Sequence, residues 1–284
     1  MKAPSFQYAC PRSLPEAFEL LERHREGARI LAGGQSLMAT LGMRLSAPEI
    51  LVDINRIEGL SGITQVDGIL KIGAMTRHAD VERSALVARH APLIAQAMPH
   101  IAHPAIRNRG TFGGSLAFAD PAAELPACVV ALGARLLLEG ARGRRSVDAA
   151  AFFQGLYRTE LAPDEILVAA EIPVARPDSR QVFAELARRH GDYALVGVAF
   201  HATTRDGLFS GARLVYLAAG DRPVVAQIAG AALEGRPNSP EAREAAVRAL
   251  ERDLDPPEDF NASAEMRLHL ARVLTRRVLE GLEQ

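Results

Sequence analysis

Apolar positions along this chain recur with two periods, helical and strand-like, and the two alternate. Leu14, Ala17, Phe18 and Leu21 fall on one face at helical spacing. Ser13 precedes them as a candidate N-cap, Glu16 follows three residues on as a capping box requires, and Pro15 lies in the first turn. The pattern predicts a helix over "SLPEAFELLERH". "ARILAGG" then reads as a short buried strand entering a glycine pair, and "EILVDIN" (49–55) as a second strand. This β-α-β pattern predicts an α/β layer. "GILKIGAMT" (68–76) reads as a strand and "APLIAQAMPHIAH" (91–103) as a helix punctuated by Pro99. Asp120 as N-cap and Pro121 at the first helical position predict a helix running to about Gly133. "ARLLLEG" and "DEILVAAEIPV" (164–174) follow as strands.

The texture changes beyond "ARPDSRQ" (175–181), which carries Pro, Asp and Ser without apolar periodicity. "YALVGVAFHATT" and "GLFSGARLVYLAAG" are β-rich runs joined by "RDG", a hairpin signal. Two amphipathic helices come next. The first has Ser239 as N-cap and Pro240 at its first position, and the second has Leu268, Ala271, Leu274 and Val278 at helical spacing. Strands followed by helices predict an α+β module. The expected division is 1–176, in lobes of about 1–56 and 57–176, then 177–284.

Composition narrows the function. A length of 284 residues suits two domains, and 48% apolar residues support a sizeable core. A net charge of −1 argues against a nucleic-acid binder. No apolar run approaches the roughly 20 residues of a membrane span, and "MKAPSFQYACPRS" has no signal-peptide core, so a cytoplasmic protein is expected. Cys10 and Cys128 are the only cysteines. They exclude a disulfide framework and a self-supplied iron–sulfur cluster, which needs about four thiolates. Lys2 and Lys71 are the only lysines, so no phosphate loop of the G-x-x-x-x-G-K-[ST] kind exists. His100 and His103 lie three apart without a third ligand, and no metal site is expected. No nucleophile–base arrangement stands out, and no catalytic side chain is assigned.

The chemistry rests on a repetition. "AGGQS" (32–36) and "FGGSL" (112–116) are similar pieces in two different predicted α/β units. Consecutive residues without Cβ atoms let backbone N–H groups line a concavity that holds an anion. Ser36, Thr111 and Ser115 add hydroxyls. Two such loops from two lobes would grip one diphosphate from both sides, a suitable device in a chain with two lysines. Neither pair fits G-x-G-x-x-G, which disfavours a Rossmann site.

At these residues a family becomes recognisable. "AGGQSLM…RL…P…LVDI" (32–54), "IRNRGTFGGSLAFADPAAELPA" (106–127), "YRTELAPDEIL" (157–167) and "ARRHGDYALVGVA" (187–199) resemble, in order, the flavin-binding subunits of the molybdenum hydroxylases. The medium subunit of aerobic carbon monoxide dehydrogenase and the flavin domain of xanthine dehydrogenase belong to that group. The resemblance implies an α+β chain: a two-subdomain α/β FAD-binding fold of the PCMH, vanillyl-alcohol-oxidase-like type, then a C-terminal α+β domain with an antiparallel sheet and helices. It implies that Leu31, Ala32, Gly33, Gly34, Gln35, Ser36 and Leu37, with Thr111, Phe112, Gly113, Gly114 and Ser115, surround the FAD diphosphate. Asp120 and Glu124 would contact the ribityl or flavin region, Ile101 and Leu161 would make apolar contacts, and Tyr193 would lie against the isoalloxazine ring. Tyr193 has a plainer reading too, as the half-buried first residue of a strand. Where many relatives have His and Ile or Val, this chain has Phe118 and Phe112. The lysine that some relatives carry before the "RR" stretch is missing from Phe183-Ala184-Glu185, leaving Arg188 or Arg189 as the candidate replacements.

The function implied is electron transfer through FAD, from iron–sulfur clusters on a small partner subunit to a quinone or NAD, with molybdopterin on a large partner subunit. The implied assembly is a dimer of heterotrimers (a heterohexamer), with peripheral membrane association of the complex possible and no membrane segment in the chain. Two other readings stand beside it: a stand-alone FAD-dependent oxidase or dehydrogenase, and a non-redox nucleotide-binding or docking module.

Overall fold

The structure, a computed structural model, describes residues 2–282. Its first lobe holds β1 (Gln7–Ala9), α1 (Leu14–His24), β2 (Ala28–Leu31), α2 (Leu37–Gly42) and β3 (Ile50–Asp53). The strands run parallel in the order β1-β3-β2. The Ser13 side chain caps α1 by accepting from the Glu16 amide at 3.4 Å, while the Glu16 carboxylate accepts from the Arg12 amide at 2.9 Å. Ala17, Phe18 and Leu21 bury that helix against Ile50 and Val52.

The second lobe begins with β4 (Ile63–Val66) and β5 (Ile69–Gly73). Short helices follow: α3 (His78–Arg83), α4 (Ala85–His90), α5 (Pro92–Ala97), α6 (Pro104–Arg107), α7 (Phe112–Phe118) and α8 (Glu124–Ala131). Then come β6 (Arg135–Gly140), β7 (Gly143–Asp148), α9 (Ala149–Phe152), the small pair β8 (Phe153–Gly155) and β9 (Arg158–Thr159), and β10 (Glu165–Pro173). The five-stranded sheet β4-β5-β10-β6-β7 is antiparallel throughout. One face, with Leu137, Ile166 and Val168, packs on the first lobe. The other, with Leu70, Ile72, Leu136 and Leu138, packs on α5, α7 and α8. β4 gives no clear sequence signal because it is an edge strand with three exposed residues, "TQV".

The C-terminal part is a four-stranded antiparallel sheet of β11 (Ser179–Ala187), β12 (Ala194–Arg205), β13 (Leu208–Leu217) and β14 (Val224–Val225). The "RDG" hairpin closes through Asp206 and Gly207, at φ 53 and 76, the doubly left-handed pair that matches strand twist. On one face lie α10 (Gln227–Leu233), α11 (Pro240–Asp253) and α12 (Ala264–Gly281), burying Val196, Val198, Phe200 and Tyr216. Ser239 and Ser263 cap α11 and α12. The other face, with Phe183, Ala199, Val215 and Leu217, joins the core of the second lobe. Arg267 of α12 is buried and donates to the carbonyls of Leu195 and Ala218 and to Asp259. No helix among the described residues is long and apolar enough to cross a membrane.

Two expectations are corrected. The helix expected from Asp120 begins at Glu124, because Asp120 caps a tight turn, its Oδ1 accepting from the Ala122 amide at 2.9 Å. The stretch expected as linker is shorter than "ARPDSRQ", since β11 already begins at Ser179.

Candidate functional site

β2 delivers the first glycine segment at its carboxyl end. Gly34 has φ +74, a left-handed conformation that side chains with a Cβ resist. The carbonyls here are occupied: Ala32 O accepts from Asn55 Nδ2 at 2.8 Å, Gly33 O from Gln35 Nε2 at 3.0 Å and Gly34 O from the Met38 amide at 3.2 Å. The amides of Gly33, Gly34, Gln35 and Ser36 meet no protein acceptor among the described residues. One edge of the segment is fastened and the other presents four successive donors, the arrangement that receives an anion. Leu31 and Leu37 flank it at the end of β2 and the start of α2.

The second glycine segment is not the matching loop expected. Gly113 and Gly114 lie in the first turn of α7, whose N-cap is Thr111. Their amides are bonded internally: Phe112 N to Thr76 O at 2.9 Å, Gly113 N to Ala74 O at 2.8 Å, Gly114 N to Thr111 Oγ1 at 3.1 Å and Ser115 N to Thr111 O at 3.1 Å. The glycines serve close approach. A Cβ on Gly113 would lie 2.7 Å from Ala74 Cα, and one on Gly114 would lie 2.5 Å from Thr111 Oγ1. His78 pins this segment from beneath, its Nε2 2.9 Å from Thr111 O. Burial, reinforced by Arg107 and Arg77, pulls the His78 imidazole down to about 4, so the ring is neutral and donates from Nε2.

The two segments touch. A Cβ on Gly33 would run into Arg109 O and lie 2.8 Å from Gly110 Cα. A polar chain fastens the junction. The Arg77 guanidinium donates to Arg109 O and, at 2.7 Å, to Asn55 Oδ1, while Asn55 holds Ala32 O. Asp53 accepts from Asn55 and, at 2.6 Å, from Tyr8 OH. Burial opposes the Asp53 charge, but these donors outweigh it and keep the carboxyl below its ordinary range. Sequence reasoning did not single out Tyr8, Asp53, Asn55 or Arg77. The available signal was "DIN" at the carboxyl end of a parallel strand, where α/β layers gather ligands.

The remaining expected residues lie further along α7. From Gly114, in its first turn, the helix rises about 6 Å to Phe118, two residues before Asp120. There Phe118 meets the Tyr157 ring edge-on at 5.1 Å. Tyr157, also missed from sequence, is exposed and left-handed at φ 54. Burial raises the Asp120 carboxyl. Glu124 is buried, and burial followed by repulsion from Glu185 raises its carboxyl to about 8. Tyr193 is neither in a strand nor half-buried. It lies in the β11–β12 turn just before β12 and is 73% exposed. Its phenol is raised by desolvation and then by the negative fields of Asp120 and Glu124. Ile101 is buried in the core, and Leu161 packs on the same core. Arg188 donates to Asn261 O at 3.1 Å, while Arg189 is exposed.

The arrangement thus puts open backbone donors at one end and acidic and aromatic side chains at the other. Residues 4–175 match the family described as the FAD binding domain in molybdopterin dehydrogenase, and residues 181–282 the CO dehydrogenase flavoprotein C-terminal domain. The nicotine 6-hydroxylase medium subunit of Paenarthrobacter nicotinovorans is 40% identical over 279 residues, covering 98% of each chain. Among solved structures, a chain of carbon monoxide dehydrogenase from Hydrogenophaga pseudoflava superposes with a TM-score of 0.96 at 37% identity, covering 99% of this chain and 98% of that one. A chain of quinoline 2-oxidoreductase from Pseudomonas putida 86 gives 0.93 at 40% identity with the same coverage.

Proposed function

This chain belongs to the FAD-binding medium subunits of the molybdenum hydroxylases, and on that premise we propose how its residues hold and use the cofactor. It is the flavoprotein subunit of a heteromeric oxidoreductase and takes part in electron transfer, with iron–sulfur and molybdopterin centres on partner subunits. Membership sets aside the stand-alone oxidase and the non-redox module. FAD bound here supplies a store that takes up electron pairs and exchanges single electrons, the chemistry needed between iron–sulfur centres and an external acceptor such as a quinone or NAD.

The rest is the work of this chain. The open amides of Gly33 to Ser36 and the hydroxyls of Ser36, Thr111 and Ser115 receive the diphosphate. Ala32, Leu31 and Leu37 shape the rim, and Phe112, Gly113 and Gly114 set the position of α7. The length of α7 spans the ribityl chain, and Asp120 and Glu124 meet its far end. Tyr193 and Tyr157 form the aromatic wall on which the ring rests, with Ile101 and Leu161 as apolar backing. The chain divides at about residue 176, with the flavin edge at the seam between the two parts. We infer a cytoplasmic dimer of heterotrimers as the working assembly.

The run of unpartnered amides abutting Arg109–Gly110 carries the proposal. Gly34→Val in the full chain is expected to lose flavin absorbance, since a β-branched residue resists the left-handed backbone, while the C-terminal sheet melts as before. Undiminished FAD in a folded Gly34→Val chain refutes this assignment.

A further inference from the structure

Two lobes frame the proposed diphosphate site, and almost all that joins them is apolar. Ile50, Val52, Met75, Leu137, Ile166 and Val168 share one core across the seam. Apolar burial is strong but non-directional, whereas a hydrogen bond fixes direction. Among the described residues, one such bond links residues 2–56 to residues 57–176, apart from the crossover turn in which the Ile57 amide donates to Ile54 O at 3.2 Å. It runs from Arg77 Nη2 to Asn55 Oδ1, at 2.7 Å. Both ends of it are held. Asn55 Nδ2 donates to Ala32 O at 2.8 Å and to Asp53 Oδ1 at 2.6 Å, and Asp53 Oδ2 is held in turn by Tyr8 OH. A flipped amide would set Oδ1 against two acceptors, so Oδ1 faces Arg77. Arg77 itself starts from a pinned backbone, with the Phe112 amide on Thr76 O and the His78 amide on Gly110 O, each at 2.9 Å.

The other nitrogen of the same guanidinium, Nη1, donates to Arg109 O, the atom that a Cβ on Gly33 would strike. One half-buried fork thus holds Arg109 O directly and Ala32 O through Asn55. These are the carbonyls beside the point where the two glycine segments touch. Both hydrogen-bond partners of the guanidinium are neutral, so the bonds are charge-assisted without the cost of a buried ion pair. We propose that Arg77 is a positioning residue for the cofactor, its two-handed grip setting the spacing of the glycine segments and with it the affinity for the diphosphate. Arg77 acts through Asn55 and Arg109 O and touches no reacting atom. The planar fork is what qualifies it, since arginine presents donors at a fixed separation and lysine does not. The inference rests on the diphosphate lying at residues 33–36.

The test is calorimetric titration of the flavin-free full chain with FAD, in Arg77→Met, Asn55→Leu and the double variant, with melting of the C-terminal sheet as the check of folding. Each single variant is expected to bind FAD about tenfold more weakly, the effect of one lost charge-assisted hydrogen bond. The double variant should fall no further than the weaker single, because either change opens the same grip. Arg77→Lys keeps the charge without the fork and should lose nearly as much as Arg77→Met. It carries the same comparison if Arg77→Met does not fold. The visible spectrum of the bound flavin should match wild type throughout, since Tyr157 and Tyr193 belong to the other end of the proposed site. Wild-type affinity in folded Arg77→Met or Asn55→Leu overturns the grip, and so do losses that multiply in the double variant. Full affinity in Arg77→Lys overturns the fork. A changed flavin spectrum in Arg77→Met moves the effect to the ring and overturns the assignment to the diphosphate. Gly34→Val separates this inference from the reading beneath it. Wild-type FAD affinity in Gly34→Val removes the diphosphate from residues 33–36, whereas loss there beside wild-type affinity in Arg77→Met overturns the grip alone.

Discussion

Adding one methyl group at Gly33 tests whether the contact between the two glycine segments makes the cofactor site. The new Cβ would overlap Arg109 O and stand 2.8 Å from Gly110 Cα and 3.1 Å from Arg109 C. Ordinary carbon contacts begin near 3.5 Å, so the segments must part by roughly 1 Å. All three blocking atoms are backbone, and Arg109 O is further held by Arg77, so no side chain can swing aside. Overpacking of this kind costs about 1–3 kcal/mol. At the middle of that range, with about 1.4 kcal/mol per tenfold, FAD affinity falls about thirtyfold in Gly33→Ala. The assay is titration of the flavin-free full chain with FAD, read by quenching of flavin fluorescence. Gly34→Ala is the companion variant. Its Cβ meets only Leu31 Cδ1 at 3.3 Å and Met38 Cγ at 3.4 Å, so its cost is the left-handed backbone, about 1–2 kcal/mol. Gly33→Ala with wild-type FAD affinity would show that the junction with Arg109–Gly110 does not shape the site.

Two further outcomes follow from buried polar groups. His78 is held down to about 4 against an unfolded value near 6.5, so the unfolded chain binds the extra proton between those values. Stability is complete above 6.5 and is lost as pH falls toward 4, by about 3 kcal/mol in all. His78→Phe should flatten that slope in urea denaturation at pH 7 and pH 5, and an unchanged slope would reassign it to other groups. Arg267→Met should cost about 1–3 kcal/mol by leaving the Leu195 and Ala218 carbonyls without a donor, since Asp259 itself is exposed. Loss of less than 1 kcal/mol in chemical denaturation would show that α12 does not depend on this arginine.

Legibility in the sequence followed the range of the forces involved. Ser13 and Ser239 act within one helical turn, and the helices they cap stand where spacing put them. Asp206-Gly207 fixes its hairpin equally locally. Asp120-Pro121 misled because the same pair that opens a helix also closes a turn, and the choice was made by packing around Glu124. "FGGSLAF" carries two poor helix formers, yet Thr111 capping and the approach to Ala74 make it a helix. The proposed site was legible through its first glycine pair, because the left-handed backbone at Gly34 is a local demand. Tyr8–Asp53 and Asn55–Arg77 bonds, spanning 45 and 22 residues, carry no periodicity that marks them in advance. Tyr157 likewise becomes visible only beside Phe118.

The open amides of residues 33–36 face a second segment whose amides are already closed. In the proposed site one wall is thus complete on its own, and the other would be completed by what it binds. A ligand at a hundredfold excess over its Kd adds about 2.7 kcal/mol to the folded state. That increment is shared by the first lobe and the five-stranded sheet, because one core joins them. In a cell short of riboflavin, the standing amount of this subunit, and of every complex that needs it, would then follow the vitamin supply before any gene responded.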